Sequence, residues 1–94
     1  MNNNITWFKG RFTKILEGYK IDYSYFENGD FGNLERVEIE GNEKMGNIDF
    51  WSSGWLSIYL VDSAKKDELI NILLEPEQQD EKAKAFQELW NLLS

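Results

Sequence analysis

The sequence predicts a single α+β domain, in which helices cover one face of a four-stranded antiparallel sheet in the order α-β-β-β-β-α-α. Near both ends of the chain, apolar residues recur at spacings of three and four, which indicates helices. Between them the apolar period changes to two, which is typical of half-buried strands. The links between these strands are short and mostly contain glycine. Short links favour antiparallel neighbours, because parallel neighbours need long crossovers.

The composition is that of a folded, cytoplasmic domain. The chain has 94 residues, so residues 1–94 are expected to form one domain. Hydrophobic residues make up 41% and aromatic residues 15% of the chain, whereas disordered chains are poor in aromatics. There is no cysteine, which suits a reducing compartment. The N-terminus lacks the features of a signal peptide, and no segment approaches the apolar length that spans a membrane.

The first helix is predicted over residues 5–16, after a loose lead-in at residues 1–4. Its apolar residues, spaced by three, four or one, are Ile5, Phe8, Phe12, Ile15 and Leu16. Asn4 is a suitable N-cap and Gly18 a natural stop. The alternative is a strand through residues 6–8.

Four strands are predicted next, at residues 19–26, 34–40, 47–51 and 55–62. Glycine-containing turns are expected at residues 28–30, 41–46 and 52–54, with Gly46 closing the second of them. On the last two strands the inward residues are Ile48, Phe50, Leu56, Ile58 and Leu60. The residues that face the opposite way are Asp49, Trp51, Trp55, Ser57 and Tyr59.

Two helices are predicted to follow the sheet. Asp62 or Ser63 caps the first, whose apolar residues are Leu69, Ile70, Ile72, Leu73 and Leu74, and Pro76 ends it because proline cannot donate the helical hydrogen bond. The second runs over residues 78–93. Its apolar stripe is Ala83, Phe86, Leu89, Trp90 and Leu93.

The charge is negative and uneven along the chain. The formal net charge is −7. Residues 1–20 carry four cations and one anion, whereas residues 21–50 carry two cations and eight anions. An acidic surface attracts basic proteins and repels nucleic acid and anionic lipid, so neither of the latter is an expected partner. The alternative is that this charge has no role in binding and only keeps a small protein soluble.

The residue types present leave little room for catalysis. With neither histidine nor cysteine, the chain lacks the usual base near neutral pH and the usual transition-metal ligands. No phosphate-binding glycine loop or calcium-binding loop is present, so no cofactor is expected. A small enzyme that uses only the carboxylates of Glu38, Glu40 and Asp49 is a minor hypothesis. The serines at residues 52 and 53 are better explained as a hairpin turn.

The acidic and aromatic side of the sheet is the candidate partner-binding surface. Tryptophan and tyrosine are frequent anchors of protein interfaces, and flanking carboxylates steer a basic partner. The residues assigned to this surface are Glu35, Glu38, Glu40, Glu43, Asp49, Trp51, Trp55 and Tyr59. For Trp51 and Trp55, burial in the core is the competing interpretation: the first helix would bury both if it packed on that face, and aromatic cross-strand pairs also stabilise sheets without a partner.

Residues 34–78 resemble small immunity proteins of bacterial polymorphic toxins, in particular those of contact-dependent growth inhibition systems. The segments that carry this resemblance are Leu34-Glu35-Arg36, Gly46-Asn47-Ile48-Asp49-Phe50-Trp51, Gly54-Trp55-Leu56 and Leu73-Leu74-Glu75-Pro76. The resemblance implies a cytoplasmic antidote that binds the toxic C-terminal domain of a delivered effector, often a nuclease. The alternative is a self-associating or adaptor domain, including a homodimer formed through the aromatic face.

Overall fold

A computed structural model describes residues 4–94 of the chain. Its elements are α1 (Ile5–Phe12), a 3-10 helix (Ile15–Gly18), β1 (Lys20–Gly29), β2 (Gly32–Gly41), β3 (Lys44–Trp51), β4 (Leu56–Asp62), β5 (Asp67–Leu74) and α2 (Gln79–Leu93). The strands form one antiparallel sheet in sequence order. The predicted α+β class and antiparallel sheet are confirmed. The sheet has five strands instead of four, and one α-helix follows it instead of two.

The start of α1 is as predicted, and its end is earlier. The backbone N–H of Trp7 donates to Asn4 Oδ1 at 2.9 Å, so Asn4 is the N-cap. The helix ends at Phe12, and the 3-10 helix carries the same apolar face on to its end at Gly18. The alternative strand at residues 6–8 is wrong. The rest of the predicted lead-in, residues 1–3, lies outside the described residues.

Both helices pack on the same face of the sheet. The phenylalanine rings of α1, β3 and α2 meet there: the Phe50 centroid lies 6.1 Å from that of Phe8 and 6.1 Å from that of Phe86. The buried strand residues beneath the helices are Val37, Ile39, Ile48, Phe50, Leu56, Ile58, Leu60 and Ile70. The alternation predicted for β3 and β4 is therefore confirmed. Because α1 takes the same face as α2, the opposite face has no helix on it.

The predicted helix before Pro76 is wrong, because the segment forms β5 at the edge of the sheet. A shift in register pairs Leu60 with Ile70 but Val61 with Glu68, which leaves Leu69 in a bulge. Because of the bulge, the apolar residues Leu69 and Ile70 are adjacent in the sequence. The apolar spacing of this segment therefore resembles that of a helix. Burial of β5 completes a core that β4 alone leaves open, and tertiary packing overrides local propensity.

The capping signal at Asp62 serves a turn and not a helix. Asp62 Oδ1 accepts hydrogen bonds from the backbone N–H groups of Ala64 at 3.0 Å and Lys65 at 2.9 Å. Lys66 then adopts a positive φ of 61°, which ends the helical conformation. A side-chain cap followed by a left-handed residue makes a tight connection between β4 and β5.

Two further assignments change. Gly46 does not close a turn: it lies inside β3, opposite Ile39 of β2 and Leu60 of β4. The turn before it has two residues, Asn42 and Glu43, both with positive φ, as a tight hairpin requires. In α2 the predicted Ala83 is exposed, whereas Lys82 and Ala85 are buried; Trp90 is half-buried against Phe12, with ring centroids 5.3 Å apart.

Candidate functional site

The helix-free side of the sheet, called the open face below, is built by alternate residues of all five strands. Directly paired residues of neighbouring strands point to the same side, so the strand register defines its members. They include Lys20, Asp22, Ser24, Phe26, Arg36, Glu38, Glu40, Met45, Asn47, Asp49, Trp51, Ser57, Tyr59, Val61, Asn71 and Leu73. The charged members of this face lie mainly on β1 and β2, whereas its members on β4 are uncharged.

The open face brings five of the eight predicted partner-binding residues together: Glu38, Glu40, Asp49, Trp51 and Tyr59. The other three lie elsewhere. Glu35 pairs with Phe50 and so points to the helix-covered side, while Glu43 belongs to the β2–β3 turn. Trp55 lies just beyond the β3–β4 turn, next to Trp51.

The carboxylate of Asp49 is paired with Arg36 of the neighbouring strand. Its carboxylate oxygens lie 2.8 Å and 3.1 Å from Nε and Nη2 of Arg36, and Asn47 donates to it at 3.2 Å. The Asp49 side chain is 7% exposed and that of Arg36 36% exposed. The hydrogen bond to Asp49 is the main cause that raises the pKa of Arg36 above its ordinary value. Asp49 therefore acts inside this pair and presents no free charge to a partner.

Glu38 and Glu40 are the carboxylates that the open face offers to solvent. Both are exposed, and within residues 4–94 the Arg36–Asp49 pair is the one ion pair present. They border a concavity of about 450 Å³ that also touches Lys20, Met45 and Tyr59. A cationic side chain that enters this concavity meets the two carboxylates and the side chain of Tyr59.

Sequence reasoning missed most of the apolar residues of this face. Phe26, Met45, Tyr59 and Leu73 are exposed by 48%, 46%, 38% and 51%. Only Tyr59 was predicted to contact a partner. The alternation of β1 already separated Phe26 from the helix-facing residues and was the available signal. Met45 and Leu73 gave none, because their segments were assigned to a turn and a helix.

The two central tryptophans belong to a half-buried aromatic cluster with Phe31, at one end of the sheet. The Phe31 ring stacks on Trp55 with centroids 4.6 Å apart and meets Trp51 edge-on at 5.5 Å. Ser52 Oγ accepts from the backbone N–H of Asn33 at 2.9 Å, and Ser53 donates to the carbonyl of Phe31. The serines thus join two hairpin turns, and the turn predicted at residues 52–54 is confirmed.

Lys82 of α2 forms hydrogen bonds with the backbone at the same end of the sheet, from the helix-covered side. It is only 5% exposed, and its Nζ donates to the carbonyl oxygens of Gly54 at 2.7 Å and Pro76 at 3.0 Å. Burial lowers the pKa of Lys82, and the nearby carboxylate of Glu77 opposes that change. One side chain therefore links α2 to the β3–β4 turn and to Pro76, the second residue after β5.

Replacement of Lys82 by methionine is expected to lower the free energy of unfolding by about 1–2 kcal/mol, because the Gly54 carbonyl loses its buried donor. The exposed Lys84→Met change on the same helix is the control, expected within about 0.5 kcal/mol of the parent. Since the pKa of Lys82 is lowered in the folded state, its contribution to stability rises as pH increases toward 10.5. The gap between parent and Lys82→Met should therefore widen in alkaline urea titrations; equal stability of the two variants would contradict this role.

Comparison of the chain with protein-family models, with curated proteins and with solved structures found no match. The resemblance of residues 34–78 to immunity proteins therefore stays a prediction. In residues 4–94, no group of three or more acidic side chains is placed to hold a metal ion. No helix in that part of the chain is long and apolar enough to cross a membrane.

Proposed function

We propose that the protein is a cytoplasmic immunity protein that binds a basic bacterial toxin domain through the open face and neutralises it. The observation that carries this proposal is the division of the sheet into two unlike sides. Both helices cover one side, while the other exposes Phe26, Met45, Tyr59 and Leu73. Exposed aromatic side chains among charged ones are frequent anchors of protein interfaces.

The charge of the open face favours a basic partner. Glu38 and Glu40 are exposed and lie outside the Arg36–Asp49 pair, so their charges face solvent at the concavity. A nuclease must carry cationic side chains where it holds a phosphate backbone. An acidic sheet face matches such a groove and competes with nucleic acid for it. A nuclease domain at the C-terminus of a delivered effector is therefore the proposed target, and nucleic acid itself is not a proposed ligand.

The segment of the resemblance includes most of the central part of this face. Residues 34–78 contain all of β3, β4 and β5 and most of β2, which begins at Gly32. Tyr59 lies on β4 between the two acidic residues and Leu73, where it is a natural anchor for a partner. The apolar contacts would slow dissociation, while the carboxylates would speed encounter.

Charge reversal at Glu38 and Glu40 together, to lysine, is expected to slow association with the toxin domain encoded beside this protein by about tenfold at low salt. Dissociation should change much less. The control is Glu81→Lys with Glu88→Lys, which makes the same change in net charge at exposed positions of α2. Surface plasmon resonance at two salt concentrations measures both rates. An association rate that does not change with salt concentration would contradict electrostatic steering.

Co-expression tests the function directly. Cells that produce the toxin domain are expected to survive when the parent protein is present, and to lose protection with Tyr59→Ala combined with the Glu38 and Glu40 reversals. The α2 control variant should protect as the parent does. Failure of the folded parent protein to protect against that toxin domain would end the immunity proposal.

A further inference from the structure

The two edge strands of the sheet, β1 and β5, differ in the features that prevent another strand from pairing with them. β5 carries the bulge at Leu69, follows a turn that ends at the left-handed Lys66 and is followed closely by Pro76. Bulges, edge charges and proline are the devices by which proteins prevent another strand from pairing with an edge. β5 thus has several of them within ten residues, and its edge is a poor place for a further strand.

The edge formed by β1 has fewer of these protections along most of its length. Its pairing with β2 is regular from Lys20 to Phe26, where Lys20 and Asp22 are the charged residues, and shifts register only between Phe26 and Gly29. No strand of the described chain lies on its outer side. It contains no proline. Tyr23 and Tyr25 are exposed by 44% and 56% on the helix side of the sheet, and Phe26 by 48% on the open face. A long, regular edge with exposed aromatic residues is a site for pairing with another strand.

The sequence of this edge is complementary to itself. An antiparallel pair centred on Ser24 places Tyr23 of each copy opposite Tyr25 of the other, so that two tyrosine pairs form. The same register places Glu27, at the start of the register shift that follows Phe26, opposite Ile21, and Lys9 lies 4.1 Å above the ring of nearby Tyr23. Each copy can thus bring a cation toward a carboxylate of the other. A two-fold axis produces both contacts twice.

The charge of the chain also points to this edge. Residues 9–27 carry four cations and three anions, whereas the remainder of the chain carries six cations and fourteen anions. Outside this segment the surface carries a large excess of negative charge, so contacts there bring anionic side chains together more often. Repulsion is smallest where the segment from α1 through β1 forms the contact.

From these observations we propose that two copies of this chain associate through antiparallel pairing of their β1 edges to form a ten-stranded sheet. The open faces of the two copies lie on one side of that sheet and both stay accessible. The dimer therefore does not depend on the proposed toxin. If no dimer forms, the proposed function is unaffected.

Sedimentation velocity from about 5 to 500 μM tests the proposal with the full chain. The parent is expected to pass from monomer to dimer in this range, and Tyr25→Asp is expected to raise the dimer dissociation constant at least about tenfold, because two cross-strand pairs are lost. The control is Leu73→Asp, which places the same charge at a residue of similar exposure on β5, the protected edge strand. It should change the constant by less than about twofold.

Hydrogen exchange of the parent gives a readout that needs no variant. The outward amides of β1 should exchange more slowly at the higher protein concentration, while those of β5 should not change. A parent that stays monomeric throughout the range overturns the proposal. It is equally overturned if Leu73→Asp weakens the dimer as much as Tyr25→Asp does.

Discussion

Gly46→Ala is expected to lower the free energy of unfolding by about 3 kcal/mol, at the upper end of the cost of overpacking, because the new methyl group has no space. A Cβ at this position would overlap the carbonyl oxygen of Tyr59 and lie 2.8 Å from the Cα of Leu60. Both atoms belong to the backbone of β4, so no side chain can rotate away. β3 and β4 must separate at the centre of the sheet, where Gly46 also pairs with Ile39.

Thermal unfolding followed by circular dichroism measures the effect. For a domain of this size the expected fall in the melting temperature is roughly 10–20 °C. Gly10→Ala is the control, because Gly10 is exposed within α1 and a Cβ there meets nothing within 4 Å. That change should stabilise the protein by up to about 1 kcal/mol, since alanine favours the helix. Equal melting temperatures for Gly46→Ala and the parent would show that β3 and β4 do not approach so closely.

Arg36→Met is expected to cost about 2–3 kcal/mol, because it leaves the nearly buried carboxylate of Asp49 without its cation. Full burial of both partners would make the loss greater, but Arg36 is 36% exposed and water screens part of the interaction. Asn47 still donates to Asp49 and replaces only a part of the lost interaction. Urea unfolding of the parent and the variant at neutral pH measures the difference.

A second substitution separates charge from packing. Asp49→Asn added to Arg36→Met should recover most of the lost stability, because the uncompensated charge is then absent. The raised pKa of Arg36 means that its contribution is fully present below the pKa of an unperturbed arginine and is lost only as pH rises through the higher folded-state pKa. The cost of Arg36→Met should therefore stay constant between pH 6 and about 9. A double variant as unstable as the single one would assign the effect to lost packing.

The sequence predicted local features where local chemistry decides them. Asn4 caps α1 through its own side chain, and the alternation through β1 to β4 separates inward from outward residues whatever the strands pair with. The apolar pattern of β5 fails as a guide because the bulge at Leu69 breaks its period of two. Likewise Gly46 has the residue type of a turn, but a close approach between strands requires it.

The candidate site was predictable only in part for the same reason. Glu38, Asp49 and Tyr59 share a face because a period of two places them there, and the sequence alone determines that. It cannot determine that Asp49 is bound by Arg36, since this depends on the register between β2 and β3. Nor can it determine that α1 joins α2 on one side.

The sequence by itself determined the α+β class, the N-cap at Asn4 and the two sides of the central strands, because these follow from contacts within a few residues. The tertiary structure decided the fifth strand, the turn at Asp62, the burial of Lys82 and the side of the sheet left open. Each of those depends on atoms far apart along the chain, as between Lys82 and Gly54. Their arrangement is fixed by how the whole core is filled, and no local pattern encodes it.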